Sequence, residues 1–146
     1  MSAERALSKA GFILMAGGVG GLLLLRSLFS PNPLAIAVQA ASFALMVWAR
    51  VTFGSRSFHA AADPTEGGLV TTGPYALVRH PIYAAVCFFV AAGMLANLSL
   101  PSAALALAVF VGAGVRMRLE ERLLVLRYPE YAAYAARVKR VIPHVL

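Results

Sequence analysis

Residues 79–101 read RHPIYAAVCFFVAAGMLANLSLP, and how this stretch folds decides the rest. A charged entrance, Arg79-His80, gives way at Pro81 to an apolar run that continues to Leu98. Proline suits the first turn of a helix, because its missing N–H is unpaired there anyway and its fixed φ is helical. The residue before it is pushed out of helical geometry, so the helix starts at Pro81. The run approaches the roughly 20 residues a helix needs to cross a bilayer. Asn97 to Pro101 then forms a break that a helix cannot continue through, which predicts a hairpin into a further apolar run.

Working outward, similar runs cover approximately 7–29, 34–53 and 101–120. The break at Pro31-Asn32-Pro33 separates the first two as a second hairpin. Residues 54–80, with Asp63-Pro64, Gly67-Gly68 and Gly73-Pro74, read as a polar loop. Composition agrees: 146 residues that are 60% hydrophobic and 13% charged carry more apolar surface than one small soluble core can hide. The expectation is a single all-α domain over 1–146, a polytopic membrane protein with four transmembrane helices. The tail, 121–146, carries a short interfacial helix, with Tyr128, Tyr131, Tyr134, Val138 and Val141 on one face and Arg137, Lys139 and Arg140 between.

Cations set the orientation, since short loops rich in Lys and Arg stay cytoplasmic. With four spans, Arg5, Lys9, Arg50, Arg56, Arg79 and the seven cations from Arg116 onward share one side, leaving Arg26 across the membrane. Both termini are therefore expected in the cytoplasm, with the protein in the cytoplasmic membrane. The formal charge of +7 is explained by anionic lipid head groups beside the spans, and nucleic-acid binding is not expected. The run after Arg5 and Lys9 is long and has no small-residue cleavage site, so it reads as a retained helix.

Several features carry no chemistry. Cys87 is the only cysteine and sits among apolar neighbours. His59, His80 and His144 lack companions at ligand spacing, so no metal site is expected. Gly17-Gly18-Val19-Gly20-Gly21 lies inside an apolar run and follows no strand, unlike a dinucleotide fingerprint. Gly17 and Gly21 instead make a small-residue face for a neighbouring helix, with Gly112 acting similarly in the fourth run.

Two charged clusters remain, and an antiparallel pair of helices would bring them together. Arg79, His80 and Tyr83 cluster at the start of the third helix, their spacings of three and four converging on one face if the helix begins early. Arg, His and Tyr are also ordinary interfacial anchors. From Pro101 to Arg116 the rise is roughly 22 Å against a hydrocarbon core near 30 Å, so Arg116, Arg118, Glu120 and Glu121 begin inside the nominal bilayer. Ionisable groups at that depth are functional candidates by default. Arg116 and Glu120, one turn apart, can pair, whereas Glu120 and Glu121 point about 100 degrees apart and should have different partners. One carboxylate would serve a cofactor's hydroxyl or ammonium groups while the other holds Arg79, Arg116 or Arg118. A solvated helix laced with Glu–Arg pairs is the plain alternative.

Over roughly Gly67 to Pro143 the chain resembles the isoprenylcysteine carboxyl methyltransferases and the related phospholipid N-methyltransferases of membranes. The resemblance is carried by Leu69 to Tyr75, by Arg79-His80-Pro81-Ile82-Tyr83, by Arg116 with Glu120, Glu121 and Leu123, and by Tyr131, Tyr134, Val138, Arg140 and Pro143. It implies a helical methyltransferase holding S-adenosylmethionine between the RHP motif and the paired glutamates. His80, Tyr83, Glu120 and Glu121 are then the cofactor-binding candidates, and Arg79 and Arg116 the catalytic ones that orient a lipophilic substrate. One departure is Ala85, where family members commonly have glycine, and its methyl would narrow the cofactor pocket or alter helix approach.

The implied substrate is a carboxylate, such as a prenylcysteine-like acid, or a lipid amine, entering from the bilayer while the cofactor enters from the cytoplasm. Two other readings stay open on the sequence. A membrane reductase would use a nicotinamide cofactor, although a phosphorylated nucleotide prefers cations to paired glutamates. A non-catalytic four-helix membrane protein would use its polar ends to anchor itself or recruit a partner.

Overall fold

The computed structural model describes residues 2–54 and 68–145, and these are helical throughout apart from turns and one isolated β-bridge. The expected Asp63-Pro64 turn, together with Arg56 and His59, lies outside the described residues. Among the described residues five α-helices follow in order: α1 (Ser2–Leu24), α2 (Pro33–Phe53), α3 (Pro81–Ala96), α4 (Leu100–Arg127) and α5 (Tyr131–Arg137). A 3₁₀ turn, Gly73–Ala76, lies between α2 and α3.

Local signals set the helix ends. α1 stops at Leu24, five residues sooner than the apolar run, because Arg26 takes a left-handed φ of 53°. Ser27 N–H then donates back to Leu22 O and Arg26 N–H to Leu23 O, closing the carbonyls of the last turn. Asn32 caps α2, its side chain accepting from the amides of Leu34 and Ala35 at 2.9 and 3.2 Å, with Pro33 in the first turn. Ser99 and Ser102 cap α4 reciprocally. His80 precedes α3 with ψ 59°, outside helical geometry, as Pro81 requires.

α1, α2 and α4 are each long and apolar enough to cross a membrane. α3 has 16 residues, about 24 Å long, against a hydrocarbon core of about 30 Å. The fourth helix departs most from expectation. It continues past 120 to Arg127, so Glu121 belongs to the helix and not to the tail. Arg and Glu keep high helix propensity, and the charges beyond Arg116 lengthen α4 rather than ending it.

α1 packs antiparallel on α4. Its buried residues, Ser8, Gly11, Gly18 and Leu22, fall three, seven and four residues apart, on one face of the helix. The backbones nearly touch: a Cβ on Gly112 would lie 2.6 Å from Gly11 O, and one on Gly18 2.8 Å from Leu105 O. This corrects the expected Gly17–Gly21 face. Gly21 does meet Leu105, but Gly17 faces open space, one residue off the seam.

α3 packs against α2 and α4, and the polar residues opposite the charged clusters hold the hairpins together. Gln39 donates to Leu28 O at 2.6 Å and to Phe89 O at 3.3 Å, while Asn97 donates to Phe29 O at 2.9 Å. Leu22, Leu28, Val90, Ala106 and Val109 form the apolar core between these ends. Large side chains such as Ile13 and Phe43 face outward, 69% and 65% exposed, as on a lipid-facing wall.

The tail also differs from its expected form. α5 has only seven residues, and Val138 is already extended, so Val138 and Val141 do not continue a helical face. Lys139 instead bridges Val78 in parallel. The amides of Arg79 and His80 donate to the carbonyls of Lys139 and Arg140 at 2.7 and 2.9 Å, satisfying donors just before α3 that a proline-started helix leaves unpaired. The 3₁₀ turn is fastened similarly: Tyr134 hydroxyl donates to Tyr75 O at 2.6 Å, and Tyr75 packs on Phe53.

Candidate active site

The antiparallel α3–α4 pair brings both predicted clusters to one end of the bundle. Arg79, His80 and Tyr83 arrive from the start of α3, and Arg116, Glu120 and Glu121 from the last three turns of α4. All six predicted residues belong to one connected network: Arg79 meets Glu121, Glu121 meets His80, His80 meets Glu120, and Glu120 meets Tyr83 and Arg116.

The two glutamates have separate partners, as their angular offset requires. Glu120 accepts a short hydrogen bond from the Tyr83 hydroxyl, and its carboxylate lies 3.5 Å from Arg116 NH2. Arg116 Nε donates to the Tyr83 hydroxyl at 2.8 Å, closing a triangle. The Arg116 side chain is buried, its NH1 reaching Ser8 O and Oγ at 3.3 and 3.4 Å and its guanidinium lying 5.6 Å from the Phe12 ring centre. A buried guanidinium needs this density of acceptors, and α1 supplies part of it.

Glu121 faces the loop and the tail. Arg79 NH2 lies 3.1 Å from its Oε1, and Arg140 approaches both oxygens, with NH2 at 2.8 Å from Oε2. His80 stands between the carboxylates, Nε2 at 3.2 Å from Glu121 and Nδ1 at 3.8 Å from Glu120. A carboxylate only accepts, so the Nε2 contact requires a ring proton there. Arg79, Arg116 and Arg140 against Glu120 and Glu121 leave one positive charge before His80 is counted.

Three contributors escaped the sequence reading. Arg140 was legible only as part of a tail motif, 19 residues from the carboxylate it pairs with. Ser8 carries no catalytic signature, though its position on the Gly11–Gly18 seam places it toward α4. Tyr131, buried on α5, reads in the sequence only as part of the aromatic face of the tail helix and of the same tail motif. Conversely, Arg118, offered as a partner for a glutamate, is exposed on the outer face of α4.

Burial raises the hydroxyls of the tail and of the 3₁₀ turn, pushing Tyr134 up to about 12 and holding Tyr131 and Tyr75 well above the ordinary tyrosine value. These hydroxyls keep their protons across the ordinary pH range, and that of Tyr134 donates to Tyr75 O. Hydrogen bonding to Glu121 holds Arg140 still more firmly in its charged form.

Ala85 lies off this polar cluster. It is buried and lines an apolar cavity of 190 Å³ with Val19, Phe43, Met46 and Phe89, between α1, α2 and α3. The methyl that departs from the commonly found glycine therefore touches apolar space, not the charged groups.

A sequence profile of the isoprenylcysteine carboxyl methyltransferase family matches residues 33–126, from the start of α2 to the end of α4. The chain is 38% identical over 80 residues to the cobalt-zinc-cadmium resistance protein CzcN of Cupriavidus metallidurans. It is 40% identical over 81 residues to the nickel-cobalt-cadmium resistance protein NccN of Alcaligenes xylosoxydans xylosoxydans. Each match covers 53% of this chain, but only 36% and 37% of the respective relative. No solved structure matches significantly.

Proposed function

The chain belongs to the isoprenylcysteine carboxyl methyltransferase family, and from that premise we propose that it transfers a methyl group from S-adenosylmethionine to a lipophilic acceptor at one membrane face. The meeting of Arg79, His80 and Tyr83 with Glu120 and Glu121 at one end of an apolar bundle carries this reading. All four longer helices would cross the bilayer, α3 as the short one, with both termini and the polar cluster on the cytoplasmic side.

The residues fit such a cofactor. When bound, it supplies a methyl already activated on a positively charged sulfur, so catalysis asks chiefly for alignment and exclusion of water. Glu120 offers a carboxylate, steadied by Tyr83 and Arg116, to ammonium or ribose hydroxyl groups. Glu121 fixes Arg79 and Arg140 around His80. α5 and residues 138–140 cover the loop that carries Arg79 and His80 and would keep water from the reacting atoms.

Arg79 or Arg116 would orient a carboxylate acceptor, which needs no base. An amine acceptor must arrive neutral or lose a proton, with His80 or a glutamate as the receiving group. The outward apolar walls of α1 and α2 suit an acceptor that arrives through lipid. Among the described residues no group of three or more His, Cys, Asp or Glu side chains is arranged to hold a metal ion, and the relatives' metal-resistance names are not carried over as metal binding.

The test is calorimetric binding of S-adenosylmethionine to the purified protein in detergent, followed by labelled-methyl transfer to a membrane lipid extract. Glu120→Ala and His80→Ala should each weaken binding at least tenfold. Absence of binding by the wild type at saturating cofactor, or tighter binding of a nicotinamide nucleotide, overturns the proposal.

A further inference from the structure

Where α5 meets the loop before α3, two buried hydrogen-bonding atoms stand unused. The Tyr131 hydroxyl, on a residue only 2% exposed, and Arg79 Nε have no hydrogen-bond partner among the described residues. Native proteins leave few such atoms, and each calls for a physical explanation.

Both atoms belong to one corner of the site. Arg79 NH1 donates to Ala135 O at 3.0 Å, one turn along α5 from Tyr131, while NH2 pairs with Glu121. The guanidinium is thus held from two sides with its third donor edge unspent. Besides burial, Glu121, Arg79 and Arg140 all act electrostatically on the Tyr131 hydroxyl. An Arg Nε can only donate, and this tyrosine stays protonated, so a single ligand group serving both must accept.

The local charge selects the group further. Arg79 and Arg140 against Glu121 leave one positive charge, which favours an oxyanion. Its source follows from position. Residues 73–80 and α5 lie beyond the long apolar helices, where a water-soluble cofactor approaches, whereas a lipophilic acceptor arrives along the flanks of α1 to α4. The carboxylate of the amino-acid portion is the anionic group of S-adenosylmethionine.

We propose that Tyr131 and Arg79 together seat the amino-acid carboxylate of the methyl donor, which makes Tyr131 a cofactor-binding residue of this chain. This rests on the function proposed above.

The full chain in detergent is titrated calorimetrically with S-adenosylmethionine and with its decarboxylated analogue, which lacks only that group. Wild type should prefer the intact cofactor. Tyr131→Phe keeps the ring and removes the hydroxyl, and should weaken intact cofactor about tenfold while leaving the analogue unchanged, as fits a hydrogen bond to a charged group. Arg79→Lys keeps the charge and removes the Nε donor, and should shrink the same preference. Ligand-free melting reports whether each variant folds; if Tyr131→Phe does not, Arg79→Lys decides. A preference equal to the wild type's in the folded variants overturns the seat and leaves methyl-donor binding standing. A wild type that binds neither compound overturns the parent proposal instead.

Discussion

Arg116 Nε donates to the Tyr83 hydroxyl at 2.8 Å, and Tyr83 in turn donates to Glu120, so a buried cation reaches its carboxylate both directly and through a phenol on the neighbouring helix. Removing Arg116 leaves Glu120 without its nearest guanidinium in an apolar surrounding. Arg116→Met should therefore destabilise by about 3 kcal/mol, the range for breaking a buried pair from one side. Tyr83→Phe should cost less, about 2 kcal/mol, because the direct pair survives. Melting in detergent checks the order, and a Tyr83→Phe loss exceeding that of Arg116→Met would contradict it.

The α1–α4 seam predicts an asymmetry between adjacent glycines. Gly18→Ala pushes a methyl toward Leu105 O and should destabilise by about 1–3 kcal/mol, as overpacking does. Gly17→Ala meets open space and should be neutral or stabilising by up to about 1 kcal/mol, since alanine is the better helix former. Equal melting temperatures for the two variants would place the seam elsewhere.

At the opposite end, Gln39 satisfies Leu28 O within the bundle. Gln39→Leu has similar bulk but leaves that carbonyl unpaired, and should cost about 1–3 kcal/mol. Gln39→Glu, which cannot donate when ionised, should fare no better. A Gln39→Leu protein as stable as wild type would refute a structural role for this contact.

Stability should fall in alkali. Tyr134 is raised to about 12 in the folded protein from an ordinary value of 10.0, so above pH 10 the unfolded chain loses this proton first. The folded state then holds more protons, and the folding free energy shrinks as pH rises toward 12. Melting temperature should decline across that window as tyrosinate absorbance rises, and Tyr134→Phe should soften the slope. A flat profile between pH 10 and 12 would show that these hydroxyls are not buried donors.

Much of this architecture was legible because its signals are local. Pro33, Pro81 and Pro101 mark helix starts by what they cannot donate, and Asn32 and Ser99 by what they can accept. The pairing of Arg79 and His80 with the glutamates followed from one assumption, that α3 and α4 run antiparallel. Contacts fixed by tertiary packing were not legible. Nothing near Ser8 announces a guanidinium 108 residues away, and nothing in Lys139 announces a parallel bridge to Val78. On the glycine seam Gly21 and Gly112 meet the neighbouring helix as expected while Gly18 takes the place of Gly17, because a run of neighbouring glycines does not reveal which of them faces the next helix.

The stretch shared with the family begins at residue 33 and ends at 126, yet α1 supplies acceptors for Arg116 and residue 140 supplies a clasp on Glu121. The homologous segment is therefore not an excisable module. A minimal fragment cut at those boundaries would keep the RHP motif and the paired glutamates while unshielding one guanidinium and loosening one carboxylate, so transplanting the chemistry into another scaffold means carrying both flanks along.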